Sequence, residues 1–152
     1  MIPPKRPFTW RQKGTFTVPV PTKHADDTII WKPALWVDGV RVSEVTMHRA
    51  PLELPILDST IAGYITGLET KSEHRGQGHG LAIVNAATDF LHREGLRYVI
   101  AFSENPESRA LFLRAGYWQS FVKNRFGDIA MVHGEPKPPA RSHWEPRGGT
   151  DV

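Results

Sequence analysis

Three glycines at alternate positions, in Arg75-Gly76-Gln77-Gly78-His79-Gly80, constrain this chain more than any other feature. They stand between an apolar run and an amphipathic one. Glycine tolerates positive φ and lets other groups approach the backbone closely. After them, Ile83, Val84, Ala87, Phe90 and Leu91 fall on one face of a helix predicted over 80–94, with Asn85, Asp89, His92 and Arg93 opposite. Gly95 supplies the stop. Before them, Thr60–Leu68 reads as a strand. In a strand, glycine turn and helix of this kind, the first helical amides and the positive end of the dipole converge where a phosphate can sit. Arg75 adds a fixed positive charge beside them.

The flanking segments give a β-rich front and an alternating back. Gly14–Val20 alternates, and Pro19 and Pro21 confine it to an edge. Asp38-Gly39 between residues 35–37 and 40–45 predicts a two-residue type I′ hairpin. No segment before residue 79 has helical periodicity. Beyond the long helix, 96–103 is a short apolar strand. Asn105-Pro106-Glu107 then opens a short helix with an N-cap, a first-turn proline and an acid, and Gly116 ends it. Strands 117–123 and 128–133 close the domain around Phe126-Gly127. The expected fold class is α/β (α+β), built on one central sheet. The domain is expected over 14–134, between an irregular basic arm at 1–13 and a disordered Pro/Gly-rich tail at 135–152.

Composition narrows the class. The chain has 152 residues, enough for one domain with a real core, and 39% hydrophobic against 23% charged residues is a globular balance. No apolar run is long enough to span a membrane. With no signal-like N-terminus and no cysteine, a cytoplasmic location without disulfides is expected. The net charge of +3 is too mild to point to nucleic acid by itself, although Lys5, Arg6, Arg11, Lys13 and Lys23 all precede the first acid. A nucleic-acid partner is left open and not favoured. His24, His48, His74, His79, His92, His133 and His143 lack metal-ligand spacing, so no metal site is expected. No Gly-x-Ser-x-Gly elbow supports a serine hydrolase.

The glycine loop fails two familiar phosphate-binding patterns. Leu81 stands where the dinucleotide fingerprint needs its last glycine, and the Lys-Ser/Thr of the Walker loop is absent. It does resemble the pyrophosphate loop of the GNAT superfamily of N-acetyltransferases, Gln/Arg-x-x-Gly-x-Gly/Ala. A second block, Asn105 through Gly116-Tyr117, is similar to that family's Asn, short helix and Gly-Phe/Tyr. The resemblance covers about residues 60–134 and implies a mixed sheet with two splayed strands that take the pantetheine arm of acetyl-CoA.

By that resemblance, Arg75, Gly76, Gln77, Gly78, His79 and Gly80 would hold the pyrophosphate, with Thr70 and Asn105 as further cofactor contacts. A primary amine on a small molecule, a lysine or a protein N-terminus would attack the thioester directly. Glu69 leads the candidates for the base, ahead of His48 and Glu44. The family's usual acid is a tyrosine four residues before the Gly-Phe/Tyr pair, and here that residue is Phe112. Tyr117, Tyr98 or Ser103 would have to substitute, or the thiolate would leave unaided. The family's two helices after the first strand also have no counterpart between 14 and 60. This departure and Phe112 leave open a non-catalytic binding module, and a phage-type nucleic-acid base modifier is a weaker reading. An exposed apolar hairpin near Trp31 and Trp36 would suit a homodimer.

Overall fold

The Asp38-Gly39 turn folds as its residues require, with φ of 50° and 78°, both positive as a type I′ hairpin demands. In the computed structural model it joins β4 (Ala34–Val37) to β5 (Val40–Pro51). The structure describes residues 14–134 except 25, 53, 55, 56 and 58. The arm predicted at 1–13 and the tail predicted at 135–152 lie outside the described residues.

Strand β5 runs to Pro51, well past the predicted end at 45. The alternation continues because Val45 and Met47 are buried while Thr46 and His48, which alternate with them, are only partly covered. Such a long strand serves two neighbours along one edge. Its first half pairs with β4, and residues 47–49 pair with β3 (Ile29–Trp31). A short β2 (Thr22–Lys23) extends β3, and β1 (Gly14–Thr17) lies outermost against β4. The other edge of β5 pairs antiparallel with β6 (Ile61–Thr70), which ends two residues beyond its predicted end. Among the described residues no helix occurs between 14 and 60.

The second half follows the expected order. A 3₁₀ turn at Ser72–His74 and the glycine loop lead into α1 (His79–Arg93), followed by β7 (Val99–Ser103), α2 (Pro106–Arg114), β8 (Trp118–Lys123) and β9 (Ile129–His133). The sheet order is β1-β4-β5-β6-β7-β9-β8, and the β6–β7 pair is parallel. One face carries the main core. There Met47, Ile65, Val99 and Met131 pack with Ile83, Ala87 and Leu91 of α1 and Phe112 of α2. On the other face, Tyr64, Tyr98, Ile100 and Val132 pack with Leu54 and Leu57 from the β5–β6 connection. Trp31 is core, edge-to-face with Phe90 at 5.3 Å, whereas Trp36 is 36% exposed and donates from Nε1 to Thr17 Oγ1.

Gly63 sets how closely α1 can lie on β6. A Cβ there would stand 3.1 Å from Leu91 Cδ1 and 3.2 Å from Leu91 Cβ. Gly63→Ala is therefore expected to cost about 1–3 kcal/mol through overpacking, and Gly63→Val more. Urea unfolding checks this, and a loss under about 0.5 kcal/mol would contradict the close approach.

Candidate active site

Parallel pairing between β6 and β7 is brief. Gly63 faces Val99 and Tyr64 faces Ile100, and past those residues both strands continue without pairing to each other. A β-bulge explains the parting. Between the Thr46–Thr66 and Glu44–Glu69 pairs, β6 spends two residues where β5 spends one, and Gly67 there has a φ of 62°. A glycine in the left-handed region at a bulge bends its strand and increases the local twist. Beyond the bulge, β6 turns outward-facing peptide groups to a gap rather than to a strand.

That gap is a cleft in two parts. The inner part, about 260 Å³, lies between Thr66, Gly67 and Leu68 on one side and Phe102, Glu104 and Asn105 on the other, with Leu111 and Phe112 from α2 also lining it. The outer part, about 1000 Å³, opens between Leu68–Thr70, the glycine loop and the start of α2. Leu68, Asn105, Ser108 and Leu111 line both.

The outer part sets the glycine loop and Arg75 opposite a rim that also carries Glu69 and Glu107. Gly76 and Gly78 have φ of 80° and 82°, and a Cβ on Gly76 would meet only open space. Gly78 is the N-cap of α1 and offers no side chain, and the first turn of α1 holds no acid. The N-terminal amides therefore face the cleft without a capping side chain. Helix α2 behaves differently, because Asn105 Oδ1 accepts from Ser108 N at 2.8 Å. Arg75 is held at the rim by its Nε, which donates to Thr70 O at 3.1 Å. Thr70 is fixed in turn by a 2.9 Å hydrogen bond with Ser43 Oγ.

His79 is 3% exposed and lines this wall, yet its Nδ1 has no protein partner. A buried, unmatched polar atom beside a helix start with no capping side chain fits a polar ligand group, and so the pocket passes the test a pyrophosphate sets. Burial holds the His79 imidazole below its usual value, and nearby His74 adds to the shift. His48 is lowered as well, chiefly by burial and further by His24.

The sequence-predicted residues separate by location. Thr70, Arg75, Gly76, Gly78, His79, Gly80 and Asn105 all line the outer cleft. Gln77 lies in the same loop, exposed. Glu69 is exposed on a rim shared with a neighbouring depression of about 330 Å³, which Arg41, Ser43, Glu44 and Lys71 also line. Glu44 is its register partner and forms a 3.5 Å ion pair with Arg41.

Tyr117 is not brought to the cleft. It is 3% exposed, its hydroxyl is hydrogen-bonded to Thr88 Oγ1, and burial pushes its phenol far above the usual range. Its ring packs edge-on to Phe112 at 5.1 Å. A phenol so placed has no path to a leaving group, which corrects its selection as the acid. Tyr98 is buried in the second core cluster, and Ser103 Oγ is engaged with Asn105 O. Phe112 itself does line the inner cleft, so the position reserved for a tyrosine is in place but carries no hydroxyl. Sequence reasoning missed Gly67, Thr66 and Ser108. An isolated glycine inside a strand pattern was the available signal for the bulge.

The sequence pattern of the acetyltransferase (GNAT) family matches residues 9–117. The chain belongs to that family. No curated protein sequence matches it. Among solved structures it is similar to the GNAT domain of PAT from S. lividans, at 18% identity and a TM-score of 0.55, covering 74% of this chain and 64% of that one. It is similar also to a mutant of the toxin AtaT bound to the C-terminus of the antitoxin AtaR and acetyl-CoA, at 14% identity and TM-score 0.56, covering 68% and 67%. A third is the PaiA N-acetyltransferase of Thermoplasma acidophilum in complex with coenzyme A, at 12% and 0.54, covering 69% and 60%. The chain thus spans about two-thirds or less of the length of these structures. The shared fold is the GNAT mixed sheet, and no helix among the described residues is long and apolar enough to cross a membrane.

The two depressed imidazoles give stability a pH dependence with a definite sign. An unfolded histidine titrates near 6.5, so below that value the unfolded chain binds more protons than the folded one. The stability these neutral rings confer is present above about pH 6.5 and is lost as pH falls. The melting temperature is expected to fall between about pH 6.5 and 5, and replacing both His48 and His79 by Gln should flatten that slope. A melting temperature that rises on acidification through this window would contradict it.

Proposed function

We propose that this protein transfers the acetyl group of acetyl-CoA to a primary amine. The observation that carries this reading is the parted β6–β7 pair, whose wider end is faced by the uncapped N-terminus of α1. An anionic end and a long, hydrogen-bonding arm fit those two features together. The amides of Gly76–Gly80 hold the pyrophosphate, Arg75 screens its charge, and the Nδ1 of His79 finds its partner there. The free peptide groups of β6 bind the arm by adding it as if it were a strand. Thr70 and Asn105 bracket it from the two sides.

The thioester supplies an acyl carbon already activated for attack. The protein's part is to orient it, exclude water and accept a proton from the amine. The chain contains no cysteine, in keeping with direct attack rather than an acyl-thiol stage. The acceptor amine belongs to a small molecule, a lysine or a protein N-terminus. Relatives of the same fold include PaiA, named as an N-acetyltransferase, and the toxin AtaT.

Phe112 favours one rival reading, a cofactor-binding module without turnover, because the inner cleft has no phenol to protonate a leaving thiolate. A thermal-shift titration with acetyl-CoA followed by a free-thiol assay separates the two. At a hundred times its dissociation constant the ligand should add about 2.7 kcal/mol, or roughly 5–10 °C. Arg75→Glu, at an exposed position, should remove most of the shift. Amine-dependent thiol release supports the transferase, a shift without release supports the module, and no shift at millimolar acetyl-CoA contradicts both.

A further inference from the structure

If the glycine loop holds the pyrophosphate, as proposed above, the thioester lies a full arm's length away along β6. Thr70 marks the phosphate end, and Thr66, four residues back, is about 13 Å nearer the point of parting at the usual strand rise. The amine must therefore arrive beside Thr66–Leu68 in the inner cleft, and its proton must leave from there. Glu69, next to Thr70, is at the wrong end for that task.

The face of the sheet away from α1 supplies a better-placed group. His48 on β5 and Thr66 on β6 both stand on that face, and His48 Nε2 lies 3.4 Å from Thr66 Oγ1. Thr66 lines the inner cleft, so the imidazole is one hydroxyl away from the gap. The ring is half-buried. Facing it are Ile30 of β3, its register partner on one side, and Tyr64 of β6, its partner on the other. The Tyr64 hydroxyl donates to Pro51 O. His24 beside the β2–β3 turn is the nearby titratable group, and Glu44, on the same strand and face, is engaged with Arg41.

We propose that His48, acting through the Thr66 hydroxyl, accepts the proton of the acceptor amine, and that the acceptor reaches the thioester from the face opposite α1. The amine nitrogen bonds to the acyl carbon as the carbon–sulfur bond breaks, and the sulfur leaves with the electron pair. The amine gives a proton to Thr66 Oγ1, which passes its own to His48 Nε2. The imidazolium then returns that proton to solvent, and the thiolate takes one from solvent. His48 is suited to this because its Nε2 already meets the Thr66 hydroxyl, and burial, with His24 nearby, favours the neutral ring. Glu104, the carboxylate lining the inner cleft, is exposed on β7's outer end, and a carboxylate is a poorer match to neutral pH than an imidazole.

Two histidines report on the two ends of the cleft, so one experiment separates this inference from the reading beneath it. Imidazole resonances of His48 and His79, assigned with His48→Gln and His79→Gln, are followed by NMR as coenzyme A is added. Shifts in both support the inference. A shift in His79 alone leaves the cofactor reading standing and overturns the role of His48. A shift in neither overturns both.

Kinetics then test the proton path, using acetyl-CoA with spermidine, free lysine and a tripeptide bearing a free N-terminus. His48→Gln should lower kcat by about 100-fold or more and abolish the acid limb of the pH profile, with little change in KM for acetyl-CoA. Thr66→Val should do the same in smaller measure, and Thr66→Ser should restore most of the rate. Glu69→Gln and Glu104→Gln should keep the acid limb. Loss of that limb in either carboxylate variant, with its retention in His48→Gln, would overturn the proposal, as would failure to turn over any of the three amines when His48 does not respond to coenzyme A.

Discussion

The cleft of this molecule depends on how briefly β6 and β7 stay paired. Two residues on each strand, Gly63 and Tyr64 against Val99 and Ile100, hold the halves of the sheet together. The bulge at Gly67 then turns β6 away. Full pairing would satisfy the backbone at once and leave no room for a ligand. Parting leaves peptide groups that a ligand arm can satisfy, and it sets the mouth of the gap against the start of α1. The close seat of α1 on Gly63 makes that arrangement rigid, because Leu91 already lies at contact distance from where a Cβ would be.

Two helix starts meet the same cleft and are finished in opposite ways. Helix α2 is closed by its own Asn105 side chain, so it is complete without a partner. Helix α1 begins at a glycine that can cap nothing, beside a buried imidazole nitrogen with no protein partner. The contrast is the reason the proposed anion site is set at α1, with α2 as a wall of the cleft. It also explains how Phe112 can stand at the floor of the inner cleft without disturbing the fold. Its ring fills the core against Tyr117, whose own hydroxyl is satisfied by Thr88. The proposed proton path accordingly runs through β5 and β6 rather than α2.

Much of this was legible in the sequence wherever a local rule acts alone. The Asp38-Gly39 turn, the amphipathic face of α1 and the Asn105-Pro106 start of α2 each follow from short-range chemistry, and each forms within a residue or two of its expected bounds. The glycine loop was readable for the same reason. What was not legible depends on residues distant in sequence. Strand β5 outran its predicted end because His48 and Arg49 look like loop residues until β3 and β6 pair on either side of them. Tyr117 looked available for catalysis, but its burial is decided by Thr88 and His133, 29 and 16 positions away. Glu69 ranked ahead of His48 because nearness to the loop was the only measure in one dimension. The His48–Thr66 contact, on which the proposed proton path rests, joins residues 18 positions apart in sequence and is invisible by that measure.

The proposed cofactor site requires the parted edges of β6 and β7 to receive a ligand arm while the α1 amides receive its anionic end. Residue-resolved amide hydrogen exchange, with and without coenzyme A, tests both at once. The account predicts slowed exchange in two groups together, the loop at Gly76–Gly80 and the free edge of β6 at Ile65–Thr70, with β1 and β4 unchanged. Protection confined to the loop, or spread over the β2–β3 hairpin while residues 65–70 exchange as before, would contradict it.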